Sequence, residues 1–405
     1  MNRSSEPLFR NPFRPGAGHM PPYLAGRKRE ELAFRRLLDQ DIIFENLILT
    51  GLRGVGKTVL LDALKPIAIQ HDWLWVGTDL SESTSVSERS LAIRILADLA
   101  PITSTIVIGA EQQLSMGFLG EEAVAHARLG HQQLAAIYDA EPGLSSDKLK
   151  AVLATVWTHL VAQGKRGIIF AYDEAQNLSD HSEKDEYPLS VLLDVFQSIQ
   201  KKGIPFFLIL TGLPTLFPKL VEARTYSERM FHILFLSQLS NEESREAILK
   251  PVEDSTCPVK FGESAVALIC RYSGGYPYFI QFICREAYDA WLQKAESRIP
   301  PRVPIEEIVA KLDTDFFSGR WHRATDRQRD LLTVIASLDH SDTEFTVQDI
   351  VSASRRSKAK PFSSSHVNQM LVSLSKVGLV YKNRHGKYSF AVPLLGQFVR
   401  RQNEK

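Results

Sequence analysis

Eight residues constrain this chain more than any others: Gly51-Leu52-Arg53-Gly54-Val55-Gly56-Lys57-Thr58. They fit the pattern GxxxxGK(S/T). They lie between an apolar run, Glu45–Leu52, that reads as a strand and a stretch, Lys57–Leu64, with helical periodicity. The glycines let consecutive backbone N–H groups turn inward around phosphate oxygens, and the positive end of the following helix adds to that attraction. Lys57 is expected to reach the β- and γ-phosphates of a nucleotide, and the Thr58 hydroxyl to ligate Mg²⁺. Gly51, Arg53, Gly54, Val55, Gly56 and Val59 complete the expected nucleotide cradle. The competing reading, a solvated lysine on a glycine-rich turn, does not account for the strand-turn-helix setting.

Other elements extend this start into a layered fold. Trp73–Leu80, Gly167–Tyr172, Ile204–Thr211 and Phe231–Leu236 read as short apolar strands, and Arg27–Leu38, Ser87–Leu99 and Ser146–Gln163 as helices. Strands that are nearly all apolar and alternate with helices predict a parallel sheet covered on both faces. Residues 101–142 carry no clear pattern. After Leu239 the strand signals stop. Ser240 and Glu243 have the spacing of a capping box, and helices are predicted at Ser264–Tyr272, Pro277–Lys294 and Ile305–Phe317. From Thr325 the pattern becomes helix Asp326–Leu338, helix Val347–Ser354, helix Ser365–Val377 and a hairpin, Leu379–Asn383 with Tyr388–Val392. Three helices and a hairpin in that order read as a winged helix-turn-helix. The expected division is an extended arm over 1–20, a nucleotide-binding domain over 21–239, a helical lid over 240–320 and a winged helix over 321–405. A chain of 405 residues is too long for one core, so several domains are in keeping with its length.

Two further segments carry chemistry. The strand Ile168–Tyr172 ends in Asp173-Glu174, which places two carboxylates at the carboxyl edge of a sheet strand, where ligands bind in open α/β folds. Asp173 is expected to hold Mg²⁺ through water and Glu174 to polarise the attacking water. The strand Phe206–Leu210 runs into Thr211, whose hydroxyl could bond the γ-phosphate or that water; a plain strand-end turn residue is an equal reading.

Taken together these residues resemble an AAA+ P-loop ATPase of the branch that holds origin-recognition initiators and STAND signalling ATPases. Leu24-Ala25-Gly26-Arg27-Lys28-Arg29-Glu30 resembles the GRxxE box, which implies that Gly26 and Arg27 line an adenine pocket. Gly51–Thr58 matches Walker A, Asp173-Glu174 matches Walker B, and Thr211 falls at the sensor 1 position. Ser227-Glu228-Arg229-Met230-Phe231 resembles an arginine-finger segment, with Arg224 as a rival and a surface ion pair to Glu228 or Glu222 as the plain alternative. Gly275-Tyr276-Pro277 resembles the GxP motif of STAND proteins. Pro277 stands where initiators place a sensor 2 arginine, so nucleotide is expected to be sensed through backbone and Tyr276. STAND proteins normally continue into repeat arrays, and none is expected here. The resemblance implies the fold class α/β, a P-loop NTPase with parallel sheet, helical lid and C-terminal winged helix. It further implies an ATPase that binds Mg-ATP between sheet domain and lid as a conformational switch and works as a homo-oligomer. A kinase or other phosphotransferase is disfavoured by the lid, the winged helix and the Asp-Glu pair.

Charge points to a partner. From His322 onward there are 14 lysines and arginines against 7 acids, although the whole chain is only +1. Arg355, Arg356, Lys358 and Lys360 precede the third helix of the winged helix, and Lys382, Arg384, His385 and Lys387 line the wing. The third helix should turn Val367, Met370, Leu371, Leu374 and Val377 inward and His366, Asn368, Gln369, Ser373 and Lys376 outward. Basic residues flanking an Asn/Gln-bearing helix suit duplex DNA. The alternative is a STAND-like regulator whose winged helix packs on the nucleotide domain or binds a separate effector protein. Three cysteines without a CxxC pair argue for a reducing compartment, and Met1–Tyr23 has no apolar signal core. A cytoplasmic location without membrane contact is expected.

Overall fold

A computed structural model describes residues 10–112, 124–253, 257–295, 302–357, 360–384 and 386–403. Seven strands occupy the first part of the chain: β1 Asn46–Gly51, β2 Trp73–Val76, β3 Val107–Gln112, β4 Val124–Arg128, β5 Gly167–Tyr172, β6 Phe206–Gly212 and β7 Phe231–Leu236. Five form one sheet in the order β2-β5-β6-β1-β7. The pairs β2–β5, β5–β6 and β6–β1 are parallel. Every residue of β1, β5 and β6 is buried, as the unbroken apolar runs require of strands covered on both faces. Asn46 fixes the start of β1: its Oδ1 accepts from Leu208 N at 2.8 Å and from Gln200 Nε2 at 2.8 Å. The unpatterned stretch 101–142 holds the antiparallel pair β3–β4 and a helix, His131–Ala140.

The chain forms two compact units. One comprises Lys28–Thr50 and Leu60–Phe235. Its core includes Ile48, Leu96, Val156, Phe170, Phe196 and Phe206, all fully or nearly fully buried. The other comprises Met1–Arg27, Gly51–Val59 and Leu236–Lys405. Its core runs from Phe13 and Leu239 through Phe279 and Phe317 to Phe398. Two members of this unit bond P-loop carbonyls, Arg27 that of Val55 and Tyr278 that of Gly54.

Within the second unit the capping box at Ser240 forms as expected: Ser240 N donates to Glu243 Oε2 at 2.8 Å and Glu243 N to Ser240 Oγ at 3.2 Å. Helices Glu263–Ser273, Pro277–Ala295 and Ile305–Leu312 follow, and the last continues as a π-helix, Asp313–Ser318. The C-terminal region then has helix Asp326–Ala336, strand β8 Phe345–Thr346, helices Val347–Ser357 and Ser364–Lys376, strands β9 Val380–Arg384 and β10 Lys387–Phe390, and helix Leu395–Asn403. β8, β10 and β9 make a three-stranded sheet in the winged-helix order. Among the described residues no helix is long and apolar enough to cross a membrane.

Candidate functional site

The P-loop leaves the sheet at Gly51, where a Cβ would sit 2.4 Å from Leu236 O; only glycine allows that approach. Gly54 has φ +79°, and a Cβ there would lie 3.2 Å from Tyr278 Cβ, so a side chain would be strained and crowded at once. The loop is held from three directions inside its own unit. Arg27, 5% exposed, donates from Nη2 to Val55 O at 2.8 Å and to Ser237 O at 3.1 Å. Tyr278 N donates to Gly54 O at 3.1 Å. Lys57 Nζ donates to Gly51 O at 3.0 Å and Leu52 O at 2.9 Å, so the ammonium lies in the mouth of the loop. The arm packs beside these residues: a Cβ on Gly18 would meet the Thr58 methyl at 3.2 Å, and Phe13 is buried against Phe261 and Tyr288.

In the sheet unit, Asp173, Glu174 and Thr211 come together at the carboxyl edge. Tyr172 pairs with Leu210, so Asp173 and Thr211 are the next residues of neighbouring parallel strands. Asp173 is 4% exposed, and its Oδ1 accepts from Glu174 N at 2.7 Å. Glu174 has φ +51°, a left-handed conformation that non-glycine residues rarely adopt and that recurs at functional sites. Gln176 donates from Nε2 to the Glu174 carboxylate. Its Oε1 accepts from Leu213 N at 3.0 Å, and its carbonyl accepts from Lys219 Nζ at 2.6 Å. Burial pushes the Lys219 pKa down, with Asp180 opposing. The amide thus ties the orientation of Glu174 to the chain just past Thr211.

A nucleotide with Mg²⁺ finds suitable chemistry here. Thr211 Oγ1 and Thr50 Oγ1, at the carboxyl ends of adjacent strands, are buried with no hydrogen-bond partner among the described residues. A buried hydroxyl without a partner is costly unless a ligand or water supplies one. The orphaned hydroxyls of the sheet unit fit a polar ligand, and in the other unit a glycine loop shaped to turn N–H groups inward fits a phosphate-bearing one.

Comparison with known proteins follows the same line. A family model described as "Domain of unknown function (DUF8462)" matches residues 314–399. No curated protein matches the chain in sequence. Among solved structures, the Walker-type ATPase of Pyrococcus abyssi superposes with a TM-score of 0.58 at 15% identity, over 93% of this chain and 96% of that one. The ORC2 protein of Aeropyrum pernix in its ADP form superposes with a TM-score of 0.54 at 17% identity, over 96% of this chain and 97% of that one. This chain shares the fold of these two proteins.

The remaining expected residues lie at several places on this fold. Arg229 ends a 3₁₀ turn, Thr225–Arg229, just before the edge strand β7. It is exposed and forms no ion pair with Glu228 or Glu222. Gly275 approaches Leu239: its carbonyl accepts from Leu239 N at 2.8 Å, and a Cβ would meet Leu239 O at 2.5 Å. Pro277 opens helix Pro277–Ala295. Tyr276 is half-buried, and Asp342 and Tyr381 of the C-terminal region lie near its hydroxyl; burial, then these groups, raise its pKa. The residue that meets the P-loop is Tyr278, two positions on. Gly26 packs on Leu239 and Glu243, and Arg27 braces the P-loop backbone.

In the winged helix the face assignment holds. Val367, Met370, Leu371 and Leu374 are buried, whereas His366, Asn368, Gln369, Ser373 and Lys376 are exposed; Val377 is half-buried. Asn368 Nδ2 donates to Ser364 O at 3.0 Å and Gln328 Nε2 to Ser373 Oγ at 2.9 Å. Arg355, Arg356, Lys360 and Lys382 are exposed and Lys387 half-buried. Lys358, His385 and the side chain of Arg384 lie outside the described residues.

Sequence reasoning missed Tyr278, Gln176, Lys219 and Thr50. Thr50 had a visible signal, a hydroxyl residue ending an apolar strand. Gln176 had a weaker one, an amide two residues after an acidic pair. Tyr278 acts on Gly54 through its backbone, which no side-chain pattern reveals.

Proposed function

We propose that this chain is an ATPase that uses Mg-ATP as a conformational switch, acts as a homo-oligomer and engages duplex DNA through its C-terminal winged helix. The observation that carries the reading is the P-loop at the end of β1, braced by Arg27 and Tyr278, in a chain whose β5 and β6 end in Asp173-Glu174 and in Thr211, whose Oγ1 has no partner among the described residues. Backbone N–H groups of Gly54–Thr58 bind phosphate oxygens, and Lys57 exchanges its loop carbonyls for them. Thr58 and Asp173 are the residues that would hold Mg²⁺, which would neutralise phosphate charge. Glu174 takes the proton of the attacking water at its carboxylate, and Thr211 Oγ1 donates to the γ-phosphate or orients that water. Arg229, exposed and without an ion pair to a described residue, suits a role in trans, stabilising phosphoryl charge in a neighbouring copy.

The winged-helix surface supports DNA association through the net +7 from His322 onward and through the outward Asn368 and Gln369. A second reading, a STAND-like regulator that binds a separate effector protein, is favoured by Val372, a large apolar residue exposed on helix Ser364–Lys376. Substitution of the base tests the chemistry. Glu174→Gln should keep ATP bound and slow its hydrolysis roughly 10²-fold or more, the scale of losing a general base. Wild-type turnover in that variant, measured with DNA or partner present, would refute the role of Glu174.

A further inference from the structure

The unit that holds the P-loop sets three arginines close to one another, with Asp315 of the π-helix also near Tyr278. Arg53 lies in the loop itself, and Arg320 and Arg323 lie at the end of the lid. None of the three forms an ion pair with a described residue. Arg320 sits on a short helical turn, Gly319–Trp321, that continues from the π-helix Asp313–Ser318. π-helical turns are rare and frequently mark functional sites.

Here the π-helix splits two adjacent aromatics between two tasks. Phe316 faces the P-loop side: its ring lies 5.0 Å from that of Tyr278, whose N–H bonds Gly54 O. The Arg320 guanidinium stacks 4.6 Å from the Phe316 ring, and its Nη1 donates to Phe316 O at 2.7 Å. Phe317, whose ring lies 5.0 Å from that of Phe316, stacks on Phe398 of the C-terminal helix at 5.1 Å. One turn earlier, the Asp313 carboxylate accepts from Arg401 Nε at 3.0 Å and Nη2 at 2.5 Å. Burial first, then the like charges of Arg53 and Arg323, lower the Arg320 pKa, so the guanidinium is held where positive charge is unwelcome. Like charges fixed near one another beside an N–H cradle are relieved by an anion that joins them.

We propose that Arg320 is a second phosphate-binding cation of the P-loop site, taking the polyphosphate of the bound nucleotide, and that the π-helix carries this engagement to the C-terminal helix Leu395–Asn403. The proposal rests on the reading of Gly51–Val59 as an ATP site. It supplies from the end of the lid the cation that is missing at Pro277. It also gives the winged helix a physical link to nucleotide, through Phe317–Phe398 and Asp313–Arg401.

The test uses the full chain as wild type, Arg320→Ala and Arg320→Lys, titrated with fluorescent ATP and ADP analogues. Arg320→Ala should weaken ATP roughly tenfold or more, the scale of one charged hydrogen bond. ADP should weaken less, because the triphosphate brings more negative charge to the cation, and Arg320→Lys should recover part of the loss. Hydrogen exchange should report ATP-dependent protection of 395–403 in the wild type and its loss in Arg320→Ala. Unchanged ATP affinity and ATP/ADP ratio in Arg320→Ala would overturn the proposal. So would an equal loss for both nucleotides accompanied by a lowered unfolding transition, which marks a structural role. If the wild type itself bound no ATP, the ATP reading would fall and take this inference with it.

Discussion

Arg27 distinguishes the structural account from the family resemblance most sharply. The resemblance places it at adenine, whereas its Nη2 bonds Val55 O and Ser237 O in a site that leaves it 5% exposed. Arg27→Ala removes both bonds. A hydrogen bond to a charged group contributes about 1.5–3 kcal/mol, but a single nitrogen serves both carbonyls here and water can enter the space left behind. The two bonds together are therefore worth about 2–4 kcal/mol of the stability of this unit. Urea unfolding followed by far-UV circular dichroism, with the transition of each unit fitted separately, should find a loss of that size. The braced loop presents phosphate-binding N–H groups, so the variant should weaken ATP and GTP by the same factor. Unchanged stability together with an altered ATP/GTP preference would refute the brace and restore the adenine role.

Two further outcomes follow from the same surfaces. Lys57→Ala and Arg229→Ala subunits, each inactive alone, should regain part of the ATP turnover when mixed, because each can repair one interface of the other; a strictly monomeric and fully active enzyme would count against Arg229 in trans. Duplex DNA binding by the full chain should weaken steeply with salt, by about one unit of log slope per phosphate contact. Lys387→Ala should weaken all sequences alike, while Asn368→Ala or Gln369→Ala relaxes sequence preference. Absence of binding to any duplex at low salt, with and without ATP, would favour the protein-partner reading.

Patterns that burial imposes were legible in the sequence. Gly167–Tyr172 and Phe231–Leu236 are strands over those same residues, because a largely apolar run between turn residues has few other places to go. The faces of helix Ser364–Lys376 followed from apolar spacing alone. Helix Pro188–Lys201 was missed although Pro188 stands at its start and Leu189, Leu192, Leu193 and Phe196 mark its buried side. Its apolar residues are dense enough to blur the helical period. At the candidate site, glycines and acids stood out by type and spacing, since the phosphate binding and proton transfer proposed for them need those residue types. The bracing did not. Tyr278 donates from its backbone, and Arg27, one of several cations in Arg27-Lys28-Arg29, gives no sign in sequence that it alone is buried.

The central claim, that Gly51–Val59 is an ATP site, is tested most directly by equilibrium titration of the full chain with a fluorescent ATP analogue in the presence of Mg²⁺. Wild type and Lys57→Ala would be run side by side, with unlabelled ATP as competitor. The account predicts saturable, competable binding to the wild type and none to Lys57→Ala, with circular dichroism unchanged between the two. Equal affinity in both proteins, or no binding by the wild type at millimolar ATP, would contradict it.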